Sequence, residues 1–294
     1  MKILVLGSSG QLGRCLYDQL SESSYELVFS SRTEIDLSNF SSLKNNILSI
    51  KPDLIINASA YTAVDKAEDE PKIANLINNF AVKELADLCH ELNSWLIHIS
   101  TDYVFDGTAI LPYKEDEQTN PQCIYGKSKL KGEQAIKTSG AKYIIIRTAW
   151  VFSEYGNNFL KTMLRLGEGK NELNIVGDQV GCPTYAQDLA KAIVSMLPTI
   201  TLDKMNSEVF HFCGDQPCTW YEFAQSIFLE ADNFGFKIPT QVNSIETINY
   251  PTPATRPAYS VLECSKIRKT FLVPPSNWRD GIRSALKKMK NFND

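Results

Sequence analysis

Short runs of consecutive apolar residues recur through the first half of the chain, and each gives way to a turn-forming stretch and then to apolar residues spaced three or four apart. Ile3-Leu4-Val5-Leu6, Glu26-Leu27-Val28-Phe29, Leu54-Ile55-Ile56, Leu96-Ile97-His98-Ile99 and Tyr143-Ile144-Ile145-Ile146 are the runs. Runs of this length, too short for helices, predict buried strands. The segments between them predict helices: from Arg14 to Leu20, from Asn39 to Ile50, before which Asp36 either caps the helix with Ser38 or flanks a bound ligand with Leu37, and through Pro71 to about Leu92. The last carries an apolar stripe of Ile73, Leu76, Ile77, Phe80, Leu85 and Leu88. The fifth run is read as one strand reaching Phe152. Strands alternating with helices in this way predict an α/β fold, a Rossmann-type doubly wound parallel sheet with right-handed crossovers.

The second half is less regular. Helices are expected at Asn157–Leu166, Asp188–Leu197, Trp220–Ala231 and Trp278–Met289, with strands at Leu173–Val176 and Val209–Phe212. The stretch Pro251–Pro257 holds three prolines and Arg256, and reads as extended and stiff. No repeat, low-complexity tract or linker interrupts the chain. The expected division is a dinucleotide-binding Rossmann domain at 1–152 and a smaller α/β substrate-binding part at 153–294. Segments around 173–213 would return to the main sheet, and the substrate cleft would lie between the two parts.

Two stretches carry chemistry. After the first strand comes Gly7-Ser8-Ser9-Gly10-Gln11-Leu12-Gly13, opening a helix. Strand, glycine turn and helix together are what a dinucleotide site requires: Gly7 for the tight turn, Gly10 for approach of the pyrophosphate, Gly13 for close helix packing. The helix N-terminus offers unpaired N–H groups and a positive dipole end. Where an NAD enzyme carries an acidic residue after the second strand, this chain has Ser30-Ser31-Arg32. Hydroxyls and a guanidinium suit a 2′-phosphate, so NADPH is the preferred cofactor and NADH the alternative. The third strand ends in Ala58-Ser59-Ala60, small residues that leave room for a cofactor across its edge.

The second stretch runs from Ser100-Thr101-Asp102 at the end of the fourth strand to Tyr125-Gly126-Lys127-Ser128-Lys129. On a helix, Tyr125 and Lys129 stack on one face. An ammonium beside a phenol lowers a pKa that starts near ~10 and makes the tyrosine a proton donor and acceptor near neutral pH. Tyr and Lys at this spacing also recur by chance on solvated helices. The strand-end Thr101 and the glycine turn are the context that raises the pair above that background.

Composition narrows the picture. The chain has 294 residues and a net charge of −4, with no long basic run, which removes the electrostatic case for nucleic acid. Seven cysteines without a C-x-x-C pair read as reduced thiols rather than disulfides, and His211 with Cys213 and Cys218 matches no common zinc spacing. The first apolar run is too short for a signal peptide and no stretch is long enough for a membrane span, so a soluble, cytoplasmic protein is expected.

These motifs resemble those of the extended short-chain dehydrogenase/reductases over essentially the whole length. Thr62-Ala63-Val64-Asp65-Lys66-Ala67-Glu68, Ser100-Thr101-Asp102-Tyr103-Val104-Phe105 with Gly156-Asn157-Asn158-Phe159, and Tyr250-Pro251-Thr252-Pro253-Ala254-Thr255-Arg256-Pro257 carry the likeness to one branch, whose members reduce 4-keto nucleotide sugars. The resemblance implies hydride transfer from a nicotinamide cofactor to C4 of a dTDP-linked 4-keto-6-deoxy sugar, giving dTDP-L-rhamnose for cell-surface polysaccharide. It implies Tyr125 as proton donor, Lys129 as the group that lowers the Tyr125 pKa and holds the nicotinamide ribose, and Thr101 as orienter of the carbonyl oxygen. Asp102 and Trp150 fall at its sugar contacts; Asn158 and Arg256 are further substrate candidates, Arg256 either beside the diphosphate or in a structural salt bridge. Gly10, Gln11, Asp36, Leu37, Ala60, Tyr61 and Thr62 fall where the family holds the cofactor, together with Gly7, Ser9, Leu12, Gly13, Ser30, Arg32 and Ala58 from the residue reading. Some members bind magnesium at a dimer interface through glutamates. This chain has Cys15 at one of those positions and Gln187 near the other, so no metal is expected, and the protein is read as a monomer or a metal-independent homodimer. A reductase of another nucleotide sugar, or a regulatory subunit on the same fold, are the competing readings.

Overall fold

Strands that are apolar on both faces must be covered on both faces. The structure, a computed structural model describing residues 1–202 and 205–291, shows how this chain does so. Among those residues β1 (Lys2–Leu6), β2 (Glu26–Ser30), β3 (Leu54–Asn57), β4 (Trp95–Thr101), β5 (Lys142–Thr148) and β6 (Glu208–His211) form one parallel sheet in the order β6-β5-β4-β3-β1-β2. This is the doubly wound order of the Rossmann type without a strand beyond β2. Residues 31–39 form turns there instead.

The longer helices are α1 (Gln11–Leu20), α2 (Phe40–Ile50), α3 (Ala81–Glu91), α4 (Ile124–Thr138), α5 (Phe159–Gly169), α6 (Ala186–Thr201), α7 (Trp220–Asn233) and α8 (Trp278–Asn291). Ile3, Val5, Ile56 and Ile97 point to the face covered by α1 and α6. Leu4, Leu6, Ile55 and Leu96 point to the face covered by α2 and α3. A separate core of Phe152, Leu160, Phe223, Ile227, Trp278 and Ile282 joins α5, α7 and α8. Fully burying each Leu or Ile side chain of these cores is worth about 1.5–3 kcal/mol. No helix among the described residues is long and apolar enough to cross a membrane.

Four sequence expectations need correction. The fifth run does not continue as one strand to Phe152: β5 ends at Thr148, and Trp150 turns out with φ of 48°. Val151–Phe152 then pairs with Thr184–Tyr185. The turn is stabilised by stacking, since the Trp150 ring lies on that of Trp220 with centroids 3.5 Å apart. The helix after Pro71 is not uniform either. Leu76–Phe80 is a π-turn between Pro71–Asn75 and α3. Its wider winding rotates the apolar stripe, so Leu85 and Leu88 are buried whereas Ile73 and Phe80 are exposed. At the start of α2 the cap is Asn39, whose side chain accepts the Ser42 N–H. Asp36 instead accepts from the Ser38 backbone and hydroxyl. Finally, Glu172–Val176 lies outside the main sheet and pairs with Gln241–Ile245, a strand whose mostly polar side chains concealed it.

Candidate active site

The order of strands reverses between β1 and β3, and the crevice at their carboxyl ends is where open α/β sheets take ligands. A cleft of about 870 Å³ begins there and extends past the ends of β4 and β5. One wall is the glycine turn. Gly7 has φ of 82°, and a Cβ on it would come within 2.6 Å of Ser59 Oγ. A Cβ on Gly13 would meet the Gly7 carbonyl oxygen at 2.2 Å, so α1 can approach β1 this closely only with glycine there. Gly10 caps α1 without a side-chain hydrogen bond, leaving the first N–H groups of the helix without an intrahelical partner. Gly7, Ser9, Gly10, Gln11 and Leu12 line the cleft, while Gly13 packs beneath the turn.

Arg32, Asp36, Leu37, Ala58, Ala60, Tyr61 and Thr62 line the same cleft. The Arg32 guanidinium is largely exposed, with Asp36 3.8 Å away. Ser30 is different from its sequence reading. It is buried, its hydroxyl donates to the Ser31 carbonyl, and its own carbonyl accepts the Gly7 and Ser8 N–H groups. Ser30 therefore shapes the turn through its backbone and offers no hydroxyl to the cleft.

The other wall brings together Thr101 from β4 with Tyr125 and Lys129 from α4. Helix α4 is held close because a Cβ on Gly132 would meet the Asn78 carbonyl oxygen at 2.2 Å. Asn78, buried on the π-turn, also clasps the Tyr61 backbone with both ends of its amide and donates to Ser128. Sequence reading passed over Asn78. An asparagine within the apolar stripe was the available signal.

Burial pushes the Tyr125 phenol well above its ordinary value; Thr101 draws it partly back, while Asp102 and Cys123 push it further up. This corrects the expectation that Lys129 would lower it. The Lys129 amine is turned away, donating to the Ile99 carbonyl at 2.6 Å and lying 3.2 Å from His98 Nε2. Burial lowers Lys129 itself to about 8, against the pull of Glu133. In this state the tyrosine carries its proton, as a donor must.

Asp102 receives the Thr101 hydroxyl on Oδ1 at 3.0 Å, and its buried Oδ2 has no hydrogen-bond partner. Burial pushes this carboxyl up to about 6. A carboxyl with a raised folded pKa leaves stability intact below its unfolded value of 3.8 and costs stability as pH rises through 6. Asp102→Asn is therefore expected to raise thermal stability at neutral pH by on the order of 2 kcal/mol. The gain should vanish near pH ~4, where the wild-type carboxyl is protonated too. Melting both forms across this range checks it, and equal midpoints at neutral pH would show that the group is solvated.

Trp150 lines the far end of the cleft. Asn158 and Arg256 do not. The Asn158 amide caps α5 and donates to Gln11 Oε1, Ser153 O and Tyr155 O, so every polar atom is used in holding the segment against the glycine turn. Its neighbour Asn157 is the one that reaches the cleft. Arg256 makes a two-pronged pair with Asp65 at 3.1 and 2.9 Å, tying the proline-rich segment to the start of the helix at Val64. At the positions read for metal, Gln187 donates to Asp18 and Cys15 is buried; the Lys288 ammonium bridges Asp18 and Glu154.

Comparison with known proteins agrees with this geometry. The chain is 42% identical over 287 residues to a dTDP-4-dehydrorhamnose reductase of Aggregatibacter actinomycetemcomitans, covering 96% of this chain and 97% of that one. A crystal structure of a dTDP-4-dehydrorhamnose reductase from Clostridium acetobutylicum superposes with a TM-score of 0.91 at 36% identity, covering 99% of this chain and all of that one (100%). A Bacillus anthracis dTDP-4-dehydrorhamnose reductase in complex with NADP gives 0.90 at 35% identity, covering 98% and 99%. The family model described as the RmlD substrate binding domain spans residues 1–291. With the glycine turn and the Thr-Tyr-Lys group facing one another across the cleft, and the match running nearly end to end, the chain belongs to the RmlD substrate binding domain family.

Proposed function

We propose that this protein is an NADPH-dependent reductase of the C4 keto group of dTDP-4-dehydro-L-rhamnose, giving dTDP-L-rhamnose. The observation that carries the reading is the convergence of Thr101, Tyr125 and Lys129 on a cleft whose opposite wall is an uncapped helix N-terminus behind a glycine turn. The unpaired N–H groups suit the pyrophosphate, and the exposed Arg32 guanidinium at the rim, beside Asp36, suits a 2′-phosphate. When bound, the nicotinamide supplies the hydride. The chain's residues do the rest. Thr101 orients the carbonyl oxygen and Tyr125 gives that oxygen its proton as negative charge develops there. Lys129, freed from Ile99 and His98, steadies the phenolate that remains until solvent reprotonates it. Trp150 and Asp102 face the sugar. In this reading residues 1–152 form the dinucleotide-binding domain and 153–294 the substrate-binding part, with β6 lent back to the main sheet.

The test is NADPH oxidation with freshly generated dTDP-4-dehydro-L-rhamnose and the purified protein, repeated with NADH. Stoichiometric loss of cofactor with dTDP-L-rhamnose as product is expected, faster with NADPH. Binding of NADPH without turnover would move the reading to another 4-keto nucleotide sugar or to a regulatory subunit.

A further inference from the structure

His98 is wholly buried on β4, one residue before the carbonyl that anchors Lys129, and no step above uses it. Its ring is held at both nitrogens. On adjacent parallel strands Asn57 and His98 are register partners, and the Asn57 amide nitrogen lies 3.1 Å from His98 Nδ1. The Asn57 amide oxygen is already committed, because it accepts the Ser59 N–H at 3.1 Å. That contact fixes which end of the amide faces the imidazole. An NH₂ group can only donate, so Nδ1 must be the acceptor and the ring hydrogen belongs on Nε2. Nε2 faces the Lys129 amine at 3.2 Å. An ammonium has no lone pair with which to accept that N–H, whereas a neutral amine accepts it and still donates to the Ile99 carbonyl at 2.6 Å.

We propose that His98 is a positioning residue for Lys129: with Asn57 fixing its tautomer, it favours the neutral amine of the lysine over the ammonium in the free protein, and the lysine that is neutral takes a proton when a dinucleotide enters. The proposal rests on the reading of Lys129 as the residue that meets the nicotinamide ribose. The directions agree with it. Burial and the neighbouring Lys129 hold the imidazole well below its ordinary value, and burial lowers Lys129 to about 8. The other ionisable groups around the amine are Tyr125 and Glu133 on its own helix and Asp102 beside Tyr125. Glu133 favours the ammonium, but its carboxylate is committed to Arg147 on β5, with Lys137 nearby. The only other histidines are His90 and His211, so the three imidazoles can be told apart in a spectrum.

Nitrogen NMR of ¹⁵N-histidine-labelled protein, assigned with His98→Gln, reads the ring directly without ligand. At pH ~9, where the amine is neutral, a neutral Nε2–H ring is expected; an Nδ1–H ring or an imidazolium there would overturn the proposal. Calorimetric titration with NADPH at pH ~8.5, in two buffers of different ionisation enthalpy, reads the lysine. Wild type is expected to take up on the order of half a proton per site. The glutamine of His98→Gln can turn its oxygen to the ammonium, and Asn57→Ala frees the ring to change tautomer. Both should reduce the uptake, the first to near zero, and a purely structural loss would weaken binding without changing the proton count. Uptake equal to wild type in both variants sinks the proposal. Failure of wild type to bind NADPH would instead sink the dinucleotide reading and with it the lysine step, the ring signals still showing whether the tautomer is as argued.

Discussion

Replacing Tyr125 by Phe is expected to reduce turnover by about 10²–10⁴-fold, the range for loss of a positioned general acid, while NADPH still binds. The substitution removes one oxygen. The ring keeps its edge-on contact with Tyr103, 5.5 Å between centroids, and its place in the small core with Ala67, Ala74 and Ala254. Helix α4 has no reason to move, so the loss would be chemical. The high pKa of the buried phenol sharpens the prediction. With its proton held well above neutral pH in the free protein, Tyr125 does not limit the rate by being ionised, and no fall in kcat/KM should trace to it below pH ~9. Any earlier alkaline fall belongs to Lys129, at about 8. Steady-state rates of both proteins across pH, with NADPH affinity measured separately, check this. Near-normal turnover of Tyr125→Phe would remove Tyr125 as the proton donor and leave Asp102 as the buried acid within reach.

The same residues show how far a sequence can be read. β1, β3, β4 and β5 were legible because each is almost wholly buried and so is written as a mostly apolar run, whereas β2, half-buried at the sheet edge, shows only Leu27-Val28-Phe29. The glycine turn was legible because Gly7 and Gly13 answer to local geometry, a positive φ and a close approach within one turn. Tyr125 and Lys129 were legible because a helix fixes the spacing of neighbours on its face. What failed to show was whatever depends on a partner far away in the chain. Lys129 points at β4 because Ile99 and His98 are there, and nothing in Y-x-x-x-K encodes that. Asn158 looked like a ligand until Gln11, 147 residues away, claimed its amide. Arg256 could be read as a diphosphate contact or as one half of a salt bridge, and Asp65, 191 residues away, makes it the second. Polar side chains announce that they need a partner, but only the fold says which.

Loss of Arg147 is expected to be the largest single blow to stability. It is 1% exposed, and its guanidinium donates to both carboxylate oxygens of Glu133 at 2.9 and 2.8 Å while resting over the Phe105 ring. Glu133 also takes the Ser100 hydroxyl at 2.6 Å, so the pair fastens α4 to β4 and β5 two turns beyond Tyr125. Arg147→Met would leave that carboxylate buried with Ser100 and the half-exposed Lys137 for company, at a cost of about 3–5 kcal/mol. Glu133→Leu combined with Arg147→Met should recover much of the loss, because two apolar residues leave no charge stranded. The pH dependence has a definite sign. Burial alone would raise the Glu133 carboxyl, but Arg147, Ser100 and Lys137 outweigh it and hold the group below its ordinary value of 4.5. Its contribution is therefore present above pH 4.5 and lost as pH falls through the lower folded value. Denaturant melts should show wild type and Arg147→Met far apart at neutral pH and converging in acid. A gap that stays constant into acid would mean that Arg147 acts through packing on Phe105 rather than through its charge.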